Sequence, residues 1–318
     1  MIVTGLALSW IDPVLVDLPG PFAIRWYGMM YVVGFVAAYF VLRFLARRGE
    51  YPVPEKSISD FIIVLALGVF LGGRLGYTLF YQFSHFISNP LQIFKVWEGG
   101  MSFHGGLIGV LLAALWSARK YKTTFLKLTD GLALAIPFGI FSVRVANFIN
   151  GELYGRVTSE SSWFAMKFFK DPMAQKLLGT QGKGMEQTEK IMEKAIASGK
   201  WEEIKGLIPW RHPSQLYEAA TEGILTGLLI WGAYILVHRA KQKPAEGFYG
   251  GIFLFLYGVF RSWVELYRQP DPQFTGPNDP VGYVLGSFTM GQVLSFLMIP
   301  FGAFLFIRAW VRRSSVSS

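Results

Sequence analysis

The sequence predicts an all-α integral membrane protein of seven transmembrane helices with one small polar head. Three observations predict it. Of its 318 residues, 52% are hydrophobic and only 16% charged, whereas average soluble domains carry about 25% charged residues. Seven segments are apolar over roughly the 20 residues needed to cross a hydrocarbon core. Lysine and arginine crowd alternate connections between those segments, as the positive-inside rule requires.

The segments can be justified in order. The first, 22–46, ends in the basic group Arg43, Arg47 and Arg48. The second, 58–82, opens on Ser57 and Asp60, which have capping-box spacing. It also carries Gly68-x-x-x-Gly72 and Gly72-x-x-x-Gly76, a pattern that favours close helix packing. The third, 104–118, is short and begins with glycines. The fourth, 128–151, contains Pro137, which should kink it. The fifth, 215–237, follows Arg211-His-Pro-Ser214. The sixth and seventh are 248–267 and 286–309. This order divides the chain into a first membrane part (1–155), a polar insertion (156–211) and a second membrane part (212–318). Within the insertion, Glu186–Ile196 has helical spacing of Ile191, Met192, Ala195 and Ile196.

Charge sets the orientation. Arg43, Arg47, Arg48 and Lys56 flank the first connection, Arg119, Lys120, Lys122 and Lys127 the third, and Arg239, Lys241 and Lys243 the fifth. Arg308, Arg312 and Arg313 lie in the tail, while the second and sixth connections offer little beyond Lys95 and Arg268. The N-terminus and the insertion are then outside and the C-terminus is cytoplasmic. A net charge of +9 suits contact with anionic lipid. It does not suit nucleic acid, because the basic residues form no domain of their own. Met1–Trp10 lacks the basic region of a signal peptide. The absence of cysteine excludes disulfides, thiolate metal sites and a cysteine nucleophile of the protein's own. The four scattered histidines argue against zinc, and no cofactor motif is present.

Polar residues interrupt the spans at one level. A charge in mid-membrane costs about 2.5–3.5 kcal/mol on insertion scales and is tolerated mainly where it faces a cavity or a partner. Followed in their assigned directions, the spans place Arg25, Tyr27 and Tyr31, then Arg74, then His104, then Arg144 to Gly155, then Gln215 and Glu218, then Tyr257, Arg261 and Glu265 in their outer halves. One outward-facing cavity explains this. Arg144, Asn147, Gly151 and Gly155 fall on one stripe if the helix persists, and Tyr257, Arg261 and Glu265 share a face. Guanidinium groups at that level suit a phosphate. In such surroundings the natural phosphate bearer is a phospholipid headgroup. Competing structural roles are carbonyl capping by Arg74, an internal Arg261–Glu265 bridge, and pairing of Glu218 and Glu222 with the arginines.

Several motifs taken together resemble one family. They are Arg25-Trp-Tyr-Gly28, Gly72-Gly-Arg-Leu-Gly-Tyr77, His104-Gly-Gly106, Arg144-x-x-Asn-Phe-x-Asn-x-Glu-x-x-Gly155, Arg211-His-Pro-Ser-Gln-Leu-Tyr-Glu218 and Arg261-x-x-x-Glu-x-x-Arg-Gln-Pro-Asp271. In this order they resemble the phosphatidylglycerol–prolipoprotein diacylglyceryl transferases. The resemblance implies a seven-span enzyme of the bacterial inner membrane with its head and active site on the periplasmic side. It implies transfer of a diacylglyceryl group from phosphatidylglycerol to the lipobox cysteine thiol of a preprolipoprotein, with loss of glycerol phosphate. Carried over by position, it implies functional roles for Tyr27, His104, Arg144, Asn147, Glu152, Gly155, Tyr257, Arg261 and Glu265. Arg74 and Asn150 join them as expected substrate contacts. His104, Arg144, Arg261 and Glu152 are the expected catalytic group, with either His104 or Glu152 taking the thiol proton. Val143, where the family often has glycine, and a long insertion over 168–208 depart from the pattern. The alternative, a secondary transporter of an anionic solute, would place its site at the midplane between internal repeats, and no repeat is visible.

Overall fold

The computed structural model describes residues 12–17, 23–80, 83–94, 100–183, 185–270 and 281–315. The signal-peptide reading of Met1–Trp10, the loop charge Lys95 and the motif residue Asp271 lie outside these. A short antiparallel pair, β1 (Val14–Asp17) and β2 (Ala23–Arg25), leads into α1 (Trp26–Arg47). A 3-10 turn at Glu55–Ser57 runs straight into α2 (Ile58–Phe80), in place of the expected Ser57 cap. α3 (Phe83–Ser88) is a single short piece, and α4 (Phe103–Lys120) follows, its N-terminus capped by Ser102 Oγ accepting from Gly105 N at 3.2 Å. α5 (Phe125–Ile149) continues unbroken through Pro137.

The polar insertion holds α6 (Pro172–Leu178), α7 (Met185–Ala197) and α8 (Lys200–Ile204). The predicted helical run at Glu186–Ile196 is α7. These pieces bury Ala174, Leu178, Met192, Ala195, Trp201 and Ile208 in a small core of their own. α9 (Ser214–Glu218), a π-helical turn at Ala219–Leu225 and α10 (Thr226–Arg239) form one continuous helix. After β3 (Gln242–Lys243) come α11 (Phe248–Val264), the hairpin β4 (Tyr283–Leu285) with β5 (Phe288–Thr289), α12 (Met290–Val311) and β6 (Ser314–Ser315).

Five of these helices are long and apolar enough to cross a membrane: Trp26–Arg47, Glu55–Phe80, Phe125–Ile149, Ser214–Arg239 and Met290–Val311. α11 is apolar but shorter, at 17 residues. The protein is therefore a mostly helical membrane protein. Its helix pairs meet on small residues, because lipid offers no hydrophobic drive for association and close backbone contact must supply it. α2 crosses α4 where Gly68, Gly72 and Gly76 meet Gly105 and Gly109, and α11 crosses α12 at Gly251, Gly258 and Gly302. A Cβ on Gly72 would meet Gly109 Cα at 2.8 Å and the Gly105 carbonyl oxygen. Backbone cannot yield cheaply there. Gly72→Ala is expected to cost about 1–3 kcal/mol, read as a lower thermal midpoint in detergent, with Gly139→Ala, which would meet nothing within 4 Å, as the control.

Candidate active site

Arg144 comes from α5 and Arg261 from α11, and both reach the start of the helix built from α9 and the π turn. Arg144 Nε lies 2.6 Å from Glu218 Oε2, and Arg144 Nη2 lies 3.8 Å from Glu222 Oε2. Arg261 Nη1 lies 3.4 Å from Glu218 Oε1 and 3.9 Å from Glu222 Oε1, while Arg261 Nη2 donates to Glu265 Oε1. Arg268 Nη1 adds a third guanidinium 3.7 Å from Glu218 Oε1. Glu265 is fixed from its other side by Thr289 Oγ1, which donates to Oε2 at 2.9 Å. The two central carboxylates have 1% and 0% side-chain exposure, against 17% for Arg144 and 13% for Arg261. The acids thus lie deeper in the cluster than the arginines. Tyr257 sits within electrostatic range of both arginines and both buried acids.

Glu218 and Glu222, four residues apart, share one face of their helix and so meet the same pair of arginines. Between them begins the π turn at Ala219–Leu225, and such turns recur at functional sites.

A second polar group adjoins the first. Glu152 Oε1 accepts from Asn147 Nδ2 at 2.9 Å and from Asn150 Nδ2 at 3.3 Å. Gln215 Nε2 donates to the Glu152 carbonyl at 2.6 Å, and Ser214 Oγ to the Leu153 carbonyl at 2.9 Å. Leu153, between these anchors, has φ +55, a left-handed conformation uncommon for a branched residue. The two carbonyl bonds hold that turn. Tyr27 lies within electrostatic range of Glu152 and Arg144, and its hydroxyl is 3.5 Å from that of Tyr31. From the insertion, Lys170 comes within range of Glu152, Glu189 and Arg25. Burial pushes the Lys170 ammonium below its ordinary value, and the two carboxylates oppose that shift. Arg25 Nη1 donates to Glu189 Oε1 on α7 at 2.5 Å, joining the insertion to the head of α1.

The expected stripe of Arg144, Asn147, Gly151 and Gly155 does not form. α5 ends at Ile149 with Asn150 as its C-cap, and Gly151 turns at φ +62. A Cβ on Gly151 would strike the Phe169 ring, and one on Gly155 would meet His212 O at 2.7 Å and His212 Cβ at 2.8 Å. These glycines permit close backbone packing rather than leaving room for a ligand. Gly155 pairs with Arg268 as an isolated bridge, and Arg156 Nε donates to the Arg268 carbonyl at 3.0 Å. The chain leaving α5 thereby clamps the end of α11.

Two predicted site residues stand apart. Arg74 is buried and donates to the carbonyls of Ile93 at 2.8 Å and Gly100 at 3.0 Å, the capping role its burial requires. His104 is exposed in the first turn of α4 and touches Phe103 edge-on. Among the described residues it makes no hydrogen bond or ion pair with the arginine cluster. His212, whose imidazole burial lowers in pKa, contacts the Tyr217 hydroxyl at 3.2 Å and has a structural place. Sequence reasoning missed Arg268 and Thr289 as members of the cluster and Lys170 as a neighbour of Glu152. The spacing of Arg261 and Arg268, one heptad, was the available signal for the first.

A family model described as prolipoprotein diacylglyceryl transferase matches residues 13–308. The chain is 41% identical over 302 residues to a phosphatidylglycerol–prolipoprotein diacylglyceryl transferase of Neisseria meningitidis serogroup C, covering 95% of this chain and 97% of the relative. It is 40% identical over 319 residues to the protein of that name from Pectobacterium atrosepticum, covering 98% of each. The namesake from Sodalis glossinidius is 40% identical over 312 residues, covering 97% of this chain and 96% of the relative.

Proposed function

Because the chain belongs to the prolipoprotein diacylglyceryl transferase family, we propose that it transfers the diacylglyceryl group of phosphatidylglycerol to the lipobox cysteine thiol of preprolipoproteins, releasing glycerol phosphate. The observation that carries the reading is the meeting of Arg144 and Arg261, from separate helices, on one buried carboxylate, with both guanidinium side chains partly exposed. The lipid phosphate docks there. As the carbon–oxygen bond to the diacylglyceryl unit breaks, negative charge grows on the departing glycerol phosphate. Guanidinium groups pre-placed by Glu218 and Glu265 stabilise that charge. The thiol comes with the protein substrate, since this chain has no cysteine. Asn147, Asn150 and Glu152 orient the reacting groups, Tyr27 and Tyr257 line the approach, and no cofactor is called for.

In this reading α4 and α11 join the five long helices to make seven spans. The N-terminus and the insertion lie on the periplasmic side of the bacterial inner membrane, the C-terminus in the cytoplasm. Residues 156–211 are a head that separates the membrane parts 1–155 and 212–318, with the active site beneath it. The basic connections support this orientation. The alternative of a secondary transporter of an anionic solute finds no support among the relatives, which are named as transferases.

His104 is the expected acceptor of the thiol proton, since a free thiol of pKa about 8.5 gains from a base at neutral pH. Purified protein given phosphatidylglycerol and a lipobox peptide should release glycerol phosphate. His104→Gln should lower turnover by about 10²–10⁴. Near-full turnover by that variant would move the base role to Glu152 or water.

A further inference from the structure

The arginine cluster of the described residues is electrically balanced. Arg144, Arg261 and Arg268 face Glu218, Glu222 and Glu265. Docking of a phosphodiester, which carries one negative charge, leaves an excess anion in a site where charges are weakly screened. The three carboxylates are not held equally. Glu218 has Arg144 Nε at 2.6 Å, and Glu265 has both Arg261 and the Thr289 hydroxyl. Glu222 is fully buried, its nearest guanidinium nitrogens are 3.8 and 3.9 Å away, and neither of its oxygens has a hydrogen-bond partner among the described residues. A buried carboxylate without hydrogen bonds survives as an anion only through nearby positive charge. A bound phosphate competes for that same charge.

We infer that Glu222 takes up a proton when the anionic headgroup of phosphatidylglycerol binds to Arg144 and Arg261, and gives it back when glycerol phosphate leaves. Glu222 is thereby a positioning residue. In the empty site its charge keeps the two guanidiniums together, and in the loaded site its neutral form releases them to the phosphate. The groups facing it are Arg144 from α5, Arg261 and Tyr257 from α11, Arg268 beyond α11 and Glu218 from its own helix. α10 continues that helix, and its titratable residues Tyr234, His238 and Arg239 lie in its later turns. Glu222 is thus the group in the cluster whose charge is least secured by directed contacts. Glu222 lies within the π turn, on the same helix face as Glu218.

The inference rests on the transferase reading above, and its test separates the two. Equilibrium binding of phosphatidylglycerol, without peptide, is measured in detergent micelles from pH 6 to pH 9. Wild-type affinity should weaken with rising pH, by up to about tenfold per unit where one proton is linked to binding. Glu222→Gln, fixed in the neutral state, should show a flat profile, while Glu222→Asp keeps a slope. Mixing lightly buffered wild-type protein with the lipid in the presence of a pH indicator should show uptake of about one proton per headgroup bound. This reading decides the matter even if the glutamine variant does not fold. Flat wild-type affinity without proton uptake, in a protein that still makes thioether product, would overturn the role of Glu222 alone. Failure to make product at any pH would overturn the transferase reading and this inference with it.

Discussion

Arg261→Ala is expected to abolish diacylglyceryl transfer, lowering turnover by about 10³-fold or more, and Arg144→Ala should do the same. Removing one pre-placed donor from a site of developing negative charge costs about 10²–10³ in rate, and each arginine offers more than one donor. Lysine should rescue poorly, because its ammonium cannot span carboxylate and phosphate at once as a planar guanidinium does. The assay is glycerol phosphate release, with retained elution volume as the check that each variant, though less stable, remains folded. Loss of activity with retained fold is the expected result for each variant. Near-normal release by Arg261→Ala would show that the phosphate binds elsewhere.

Glu218→Ala is expected to be the most damaging substitution for stability. Its carboxylate receives Arg144, Arg261 and Arg268 from two other parts of the chain and is almost wholly buried. Removing one member of a buried ion pair typically costs about 3–5 kcal/mol, because the remaining charge stays buried without compensation. Three cations share this one partner, so the loss belongs at the upper end of that range. Arg144→Ala introduced together with Glu218→Ala should restore part of the thermal midpoint, since contacting charges are coupled rather than additive. A simple sum of the two single losses would mean that Glu218 and Arg144 act independently, contrary to their 2.6 Å separation.

The membrane helices were legible because apolar length is written directly into the chain. The predicted segments 58–82 and 215–237 correspond to α2 (Ile58–Phe80) and to Ser214–Arg239 within a few residues. The glycine pattern likewise foretold close helix packing on α2, though not that α4 is the partner, since only a missing Cβ allows that approach. The end of α5 was misjudged although its signal was present. Asn150-Gly151 is a helix stop, with glycine in the left-handed C′ position, and polar periodicity alone ran past it. The π turn at Ala219–Leu225 had no such signal, because i→i+5 bonding depends on tertiary packing rather than on local propensity. That Arg144 and Arg261 would meet was legible from charges placed at one membrane level. The acids between them were legible too, since the sequence offers Glu218 and Glu222 as partners of the arginines and an Arg261–Glu265 bridge, and these pairs form. That His104 makes no hydrogen bond or ion pair with the cluster among the described residues was not readable, since side-chain contacts between helices follow from crossing geometry.

The central claim is that two guanidiniums from separate helices grip a lipid phosphate so that a thiol can displace it. Mass spectrometry of a lipobox peptide after incubation with the purified protein and phosphatidylglycerol of defined acyl chains tests this most directly. The account expects the cysteine to gain the mass of one diacylglyceryl unit with the wild-type protein, and no gain with Arg144→Ala or Arg261→Ala. An unmodified peptide with the wild-type protein, or full modification by both arginine variants, would contradict it.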